Sequence, residues 1–310
     1  MSRPLTVMEP FHSPFYAPLA VTLSRGHFTD EGLDVTVRTA SRSAGTVEAL
    51  LRGEVEVSLG GIMRSLELAD RGGGFLPHFI EVNSRNGFFL LGRRPEPGFR
   101  WADLVGKTVI SFAEAPTPWQ CMLTVLRRHG VDPAQVKIER TLPGADAVAA
   151  FLAGHGDYLE QGQPIVERLL AGGAAHLIVS MGDATGPVPF SSFMTTREFL
   201  RREPDVVTRF TRAVYRTQRW IAEQEPTMIA AAIAPAFPDI EREILTRVVD
   251  RYRRQGTWAR DPIVRREGYE YLQQILLDGG FIERRHSYDD VIDVTVAEAV
   301  VRDAGLAGKS

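Results

Sequence analysis

Apolar positions in the first eighty residues alternate between short runs and helically spaced segments, the rhythm of βαβ units that build a largely parallel sheet. Pro4 to Met8 reads as a strand, Pro14 to Arg25 as a helix ended at Gly26, and Leu33 to Thr39 as a second strand. A helix over Thr46 to Arg52 stops at Gly53, and a third strand, Val55 to Leu59, runs into Gly60-Gly61. A second set starts near residue 90. Trp101 to Phe112 predicts a helical turn leading through Gly106 into a strand, and Pro118 to His129 a helix closed by Gly130. Val136 to Leu142 then reads as a strand, Gly144 to Ala153 as a helix and Ala175 to Ser180 as a late strand. Chain crossings between the two sets are expected near Phe88 to Gly92 and near Pro189 to Met194. From Arg197 onward helical spacing dominates, with Phe199, Val206, Val207, Phe210, Val214 and Ile221 on one face and prolines as punctuation.

A length of 310 residues exceeds what one core usually supports, so two domains are expected. The boundaries fall as residues 1–90 plus 192–310 for a first lobe with a helical C-terminal part, and 91–191 for a second. The fold class is therefore α/β, in two lobes joined by two crossings. Hydrophobic content of 44% and charged content of 24% match ordinary globular chains. A net charge of -3 supplies no attraction for nucleic acid or an anionic membrane surface. One cysteine, Cys121, excludes an internal disulfide and a cysteine-built metal site, and no histidine pair has metal-site spacing. The start has no basic segment followed by an apolar stretch, so the chain as written is expected in the cytoplasm, or in the periplasm if a signal has been trimmed.

Specific segments carry a resemblance. Tyr16 to Val35 holds a helix ending at Gly26, an aromatic at Phe28 and Glu31-Gly-Leu-Asp-Val leading into a strand. Ala49-Leu-Leu-Arg-Gly-Glu-Val-Glu, Asp103-Leu-Val-Gly-Lys-Thr-Val, Val148 to Pro164 and Tyr269 to Val294 follow in order. Together they resemble the periplasmic solute-binding proteins of ABC importers, in the branch of the thiamine-pyrimidine, sulfonate and nitrate binders. The likeness spans nearly the whole chain, with Glu56 where the family more often has Asp. It implies a type II arrangement of two lobes closing on a small organic ligand in the cleft between them, an ABC permease as partner, and a monomer. Open α/β sheets bind ligands beyond the carboxyl ends of their strands, so the loops there are the place to look.

After the first strand, Phe11, His12, Ser13 and Tyr16 combine rings that stack on a planar ligand with polar atoms that orient it; Phe15 and Tyr16 equally suit anchoring the first helix. After the second, Arg42, Ser43 and Thr46 open a helix and suit a carboxylate, sulfonate or phosphate, although a plain helix cap explains the hydroxyls as well. Gly60 and Gly61 allow a ligand close to the backbone or make a simple turn. Glu114, Thr117 and Trp119 follow a strand of the second lobe, while Asn83, Arg85, Asp157 and Glu160 sit near the crossings, facing either the cleft or solvent.

Some relatives on this fold are enzymes. One group resembles the pyrimidine synthases of thiamine biosynthesis, which consume a lysine-bound pyridoxal phosphate; yet the lysines here are Lys107, Lys137 and Lys309 alone, none in the first-lobe loops. A second resembles desulfinases, whose nucleophile is a first-lobe cysteine, whereas Cys121 lies in an apolar helix of the second lobe. A lyase or decarboxylase pairing His12 with Glu114, or a ligand sensor, is the alternative to a binder. No cofactor is expected, and the ligand expected is a planar acid or heterocycle, sulfonate-like or pyrimidine-like.

Overall fold

The computed structural model describes residues 2–307; Lys309 and the last three positions of the first-lobe range lie outside the described residues. Ten strands form two five-stranded mixed sheets. The first sheet contains β1 (Arg3–Glu9), β2 (Leu33–Thr39), β3 (Val57–Gly60), β4 (His78–Asn83) and β10 (Ser191–Met194), in the order β2-β1-β3-β10-β4. The second contains β5 (Phe89–Gly92), β6 (Thr108–Ile110), β7 (Lys137–Glu139), β8 (Tyr158–Gln161) and β9 (His176–Ser180), in the order β7-β6-β8-β5-β9. In each sheet one strand that arrives from the other half runs antiparallel between two others: β10 between β3 and β4, and β5 between β8 and β9.

Burial explains the strand patterns. At the edge, β2 alternates, with Leu33 buried, Val35 and Val37 half-buried, and Asp34, Thr36 and Arg38 in solvent. The central strands β3, β5 and β10 are buried at every position. A four-residue strand buried on both faces has no period to read, and this is why β5 and β10 were expected as crossings. The crossings are instead residues 84–88 and 181–190, and the expected boundaries after residues 90 and 191 fall inside β5 and β10. The strands β4 and β8 were also not anticipated.

The C-terminal helices brace both halves. The expected helix from Arg197 is two, Arg197–Arg202 and Pro204–Glu223, because Pro204 cannot continue the first and instead begins the second. Phe210 of the longer helix lies 4.8 Å from Phe28 and 5.0 Å from Phe193, ring to ring, against the first sheet. Helix Arg242–Gln255 reaches the other half, where Arg251 pairs with the buried Glu167. Its last residue, Gln255, donates to the Asn86 carbonyl at 2.7 Å and accepts from the Ser180 hydroxyl at 2.6 Å, pinning the two crossings together.

Candidate functional site

The loops after β1, β2 and β3 face the loops after β6 and β8 around a cavity of about 260 Å³. Ser13 accepts from the Phe15 N–H at 3.2 Å and Pro14 occupies the first helical position, so the chain turns at once into a short 3-10 helix, Pro14–Tyr16. That turn sends Phe11 towards the second half, where its ring meets Phe112 edge-on at 6.2 Å. The Phe15 ring packs on Phe190 and Tyr252, and its carbonyl receives both Asn83 Nδ2 at 2.9 Å and Trp258 Nε1 at 3.0 Å. Gly87 lies so close that a Cβ there would sit 2.3 Å from the Phe15 ring. Seven aromatic side chains line the cavity: Phe11, Phe15, Tyr16, Phe88, Phe112, Phe190 and Tyr252.

His12 stands at the rim with its ring stacked on Phe237 at 4.6 Å. Its Nδ1 meets the Glu9 carboxylate at 2.8 Å and its Nε2 the Ala236 carbonyl at 2.7 Å. The Ala236 carbonyl can only accept, which places a proton on Nε2, and a protonated Nδ1, which makes the ring a cation, suits the Glu9 carboxylate. Burial opposes that charge, but the Ala236 carbonyl and the Glu9 hydrogen bond and charge outweigh it and hold the pKa above the usual histidine value. With both nitrogens engaged by protein groups, His12 presents its ring to the cavity rim.

Polar contacts link the two halves directly. Ser43 donates to the Glu114 carbonyl at 3.1 Å and accepts from Arg64 at 2.6 Å. Arg64 lies in the first turn of helix Met63–Asp70, and its guanidinium also pairs with Glu67 at 3.0 Å. Gly60 and Gly61 line the cavity just before it, where a Cβ on Gly61 would meet the Met63 sulfur at 2.6 Å. From the second half come Thr117, Gln161, Gln163 and Glu114, whose carboxylate accepts from the Gly144 N–H at 2.7 Å.

Nine of the expected residues therefore line one cavity: Phe11, His12, Ser13, Tyr16, Ser43, Gly60, Gly61, Glu114 and Thr117. Seven do not. Arg42 is exposed and pairs with Glu48, and the arginine that lines the cavity is Arg64. Thr46 is buried and bonds the Ser43 carbonyl, acting as a local tie. Asn83 braces Phe15, and Arg85 bonds Gly182 and Asp183 at the second crossing. Trp119 lies under the Arg140 guanidinium at 4.0 Å. Asp157 accepts from the Thr108 N–H, and Glu160, fully buried, accepts from Ser111. Alternation along β8 is the reason for the last: successive side chains point to opposite faces, so Gln161 reaches the cavity where Glu160 does not.

Cys121 is buried in helix Thr117–Arg128, and burial, with the Glu160 charge adding, pushes its thiol up to about 12. A thiol held protonated there is no nucleophile.

Comparison with known proteins agrees with this architecture. YtlA of Bacillus subtilis (strain 168), named as a candidate binding protein, is 29% identical over 299 residues, covering 96% of this chain and 90% of its own. The periplasmic aliphatic sulphonate binding protein SsuA from Escherichia coli superposes with a TM-score of 0.74 at 15% identity, covering 92% of this chain and 95% of its own. The desulfurization enzyme DSZB superposes with a TM-score of 0.67 at 18% identity, covering 97% and 99%. At those identities the two structures establish a shared fold, that of the periplasmic binding proteins, on which both a binder and an enzyme are built. The sequence model of the NMT1/THI5-like family matches residues 13–227, well over half of the chain, and the protein belongs to that family.

Proposed function

We propose that the protein is the substrate-binding component of an ABC-type importer, which captures a small planar organic molecule, an acid or a heterocycle, by closing its cleft. The observation that carries this reading is the aromatic cavity between the two sheets, built by loops at strand ends and bounded by elements of both halves. Binding proteins of this fold close by hinge motion, and the two crossings at residues 84–88 and 181–190 are the natural hinge. The first sheet with helix Pro204–Glu223 would then move against the second sheet. Phe11, Tyr16, Gly60, Gly61, Glu114 and Thr117 contact the ligand in this reading, together with Arg64 and Gln161; Ser43, expected as a contact, ties the two halves instead, and His12 and Ser13 shape the rim. Asn83, Thr46, Trp119 and Glu160 hold the walls in place.

The sulphonate-binding name of SsuA and the binding-protein name of YtlA support capture rather than turnover. Delivery to a permease, a periplasmic location and action as a monomer go with that role. The buried thiol of Cys121 gives no support to a cysteine-dependent reaction.

A thermal-shift screen against pyrimidines, aromatic carboxylates, sulfonates and nitrate tests the reading. A ligand at a hundred times its Kd adds about 2.7 kcal/mol to the folded state, a rise of several degrees in Tm. The ligand recovered unchanged after incubation supports a binder. Conversion to product, or no shift with any compound, overturns the proposal.

A further inference from the structure

We propose that the cleft selects an aromatic monoanion, a single-ring carboxylate or sulfonate, and that Arg64 reads its charge; this rests on the cleft being the ligand site. Three side chains that carry charge line the cavity, His12, Glu114 and Arg64. The first two are committed to protein groups. His12 is held between the Glu9 carboxylate and the Ala236 carbonyl, and Glu114 has turned its carboxylate onto the Gly144 N–H.

Arg64 is short of acceptors. Its counter-ion, Glu67, accepts from Arg64 at 3.0 Å and from Arg71 at 2.7 Å, so one carboxylate serves two guanidiniums. Its other partner is the neutral Ser43 hydroxyl. Its Nε has no hydrogen-bond partner, although the side chain is only 14% exposed. A partly buried guanidinium in that state favours an incoming anion, because charge-assisted hydrogen bonds are about twice as strong as neutral ones.

The opposite wall carries a second donor of the same kind. Gln161 Nε2 is buried without a partner, on β8 of the second sheet. An acceptor-rich group seated between Arg64 and Gln161 would tie the two halves together, which is what a ligand that drives closure has to do. The amide is indifferent to charge and the guanidinium is not.

The rest of the ligand is set by the rings. Phe88 and Phe112 lie 4.7 Å apart, and Phe11 meets Phe112 at a right angle, so a flat ring has both faces and edges to pack against. A volume of about 260 Å³ is below the roughly 300–1,000 Å³ of pockets for drug-sized ligands, which points to one ring. A neutral heterocycle without an acceptor in reach meets the same rings but leaves the Arg64 Nε–H unpaired in a closed cleft, at the desolvation cost of that donor.

Calorimetric titration with benzoate, benzenesulfonate, benzamide and cyclohexanecarboxylate decides the matter. Benzoate or benzenesulfonate should bind at least tenfold more tightly than benzamide, which has the shape of benzoate without its charge, and the saturated ring should also bind more weakly. The stronger of the two acids identifies the acid group. In R64Q the affinity for the better acid should fall about 10- to 100-fold, while that for benzamide changes less than about twofold. Benzamide binding as tightly as benzoate, or R64Q binding the acid unchanged, overturns the inference and leaves capture by the cleft standing. If none of the four binds, the inference fails, and the broader ligand screen decides the cleft separately. Should R64Q not fold, the comparison of acid with amide in the unaltered protein still gives the answer.

Discussion

Buried and bridged ionisable groups pull this protein's stability in opposite directions with pH: desolvation holds buried His78 down to about 3, so stability is lost as pH falls below about 6.5, while Glu160, Glu81 and His12 act the other way. Burial pushes Glu160 up to about 7, against the Ser111 hydrogen bond and the Arg140 charge, and pushes Glu81 up to about 7 against Ser84 and Arg265. An acid whose folded pKa lies above its unfolded value binds more protons folded than unfolded, so stability falls as pH rises from about 4.5 to about 7. His12 also has a raised folded pKa; its contribution is fully present below about 6.5 and is lost as pH rises through the folded value. On raising the pH from 5 to 8 in urea unfolding, the two glutamates and His12 should cost stability while His78 returns some. Glu160→Gln should remove part of that loss, of the order of 3 kcal/mol at most, from the range below pH 7. His12→Ala should flatten the range above 6.5. A Glu160→Gln profile that parallels the wild type between pH 4.5 and 7 would contradict the assignment. Single residues also mark how much of the cavity lining the sequence allowed. Phe11, Ser13, Tyr16 and Ser43 were legible because strand-end loops in an α/β sheet face the ligand side. Arg64 was not, since an arginine in a short amphipathic helix looks like any solvated one, and only the shared Glu67 and the missing Nε partner set it apart. Choosing between Glu160 and Gln161 required knowing that residues 158–161 form a strand.

At the level of elements, the two crossings depend on a close approach. Gly182, at the start of the second, lies where a Cβ would come within 2.5 Å of the Asn86 carbonyl oxygen and of Gln255. The Asn86 oxygen is backbone, and Gln255 is fixed by Asn86, Ser180 and Thr257, so neither gives way cheaply. Gly182→Ala should cost about 1–3 kcal/mol, read as a lower urea midpoint with an unchanged m-value. An unaltered midpoint would mean that the crossings have room to separate. The elements most easily read beforehand were the amphipathic ones. The edge strand β2 was read to the residue, and the helices at 45–51, 117–128 and 144–152 to within one or two, because one exposed face leaves a period and Gly or Pro marks an end. The strands β5 and β10 were misread because full burial removes the period, and their antiparallel insertion depends on long-range pairing that no local pattern encodes.

For the molecule as a whole, the two sheets already touch across the cleft. Phe11 meets Phe112, and the Ser43 hydroxyl donates to the Glu114 carbonyl while receiving Arg64. Ser43 thus links the charged wall of the first half to the facing loop of the second, and it does so with a hydrogen bond that forms only when the halves are together. A protein whose binding-competent state is partly populated has its apparent affinity reduced by that fraction, so weakening closure weakens binding without touching the ligand. One such bond contributes about 0.5–1.5 kcal/mol, which is up to about tenfold in the closed-to-open ratio. Ser43→Ala should therefore enlarge the radius of gyration of the free protein in small-angle scattering. It should weaken every ligand, charged or neutral, by the same factor of up to about ten, in contrast to R64Q, which discriminates by charge. Saturating ligand should bring the radius back to that of the liganded wild type, because the contacts made by the ligand itself are intact. An unchanged radius together with unchanged affinity would show that closure does not depend on this contact, and would leave Phe11 and Phe112 as the groups that hold the cleft shut.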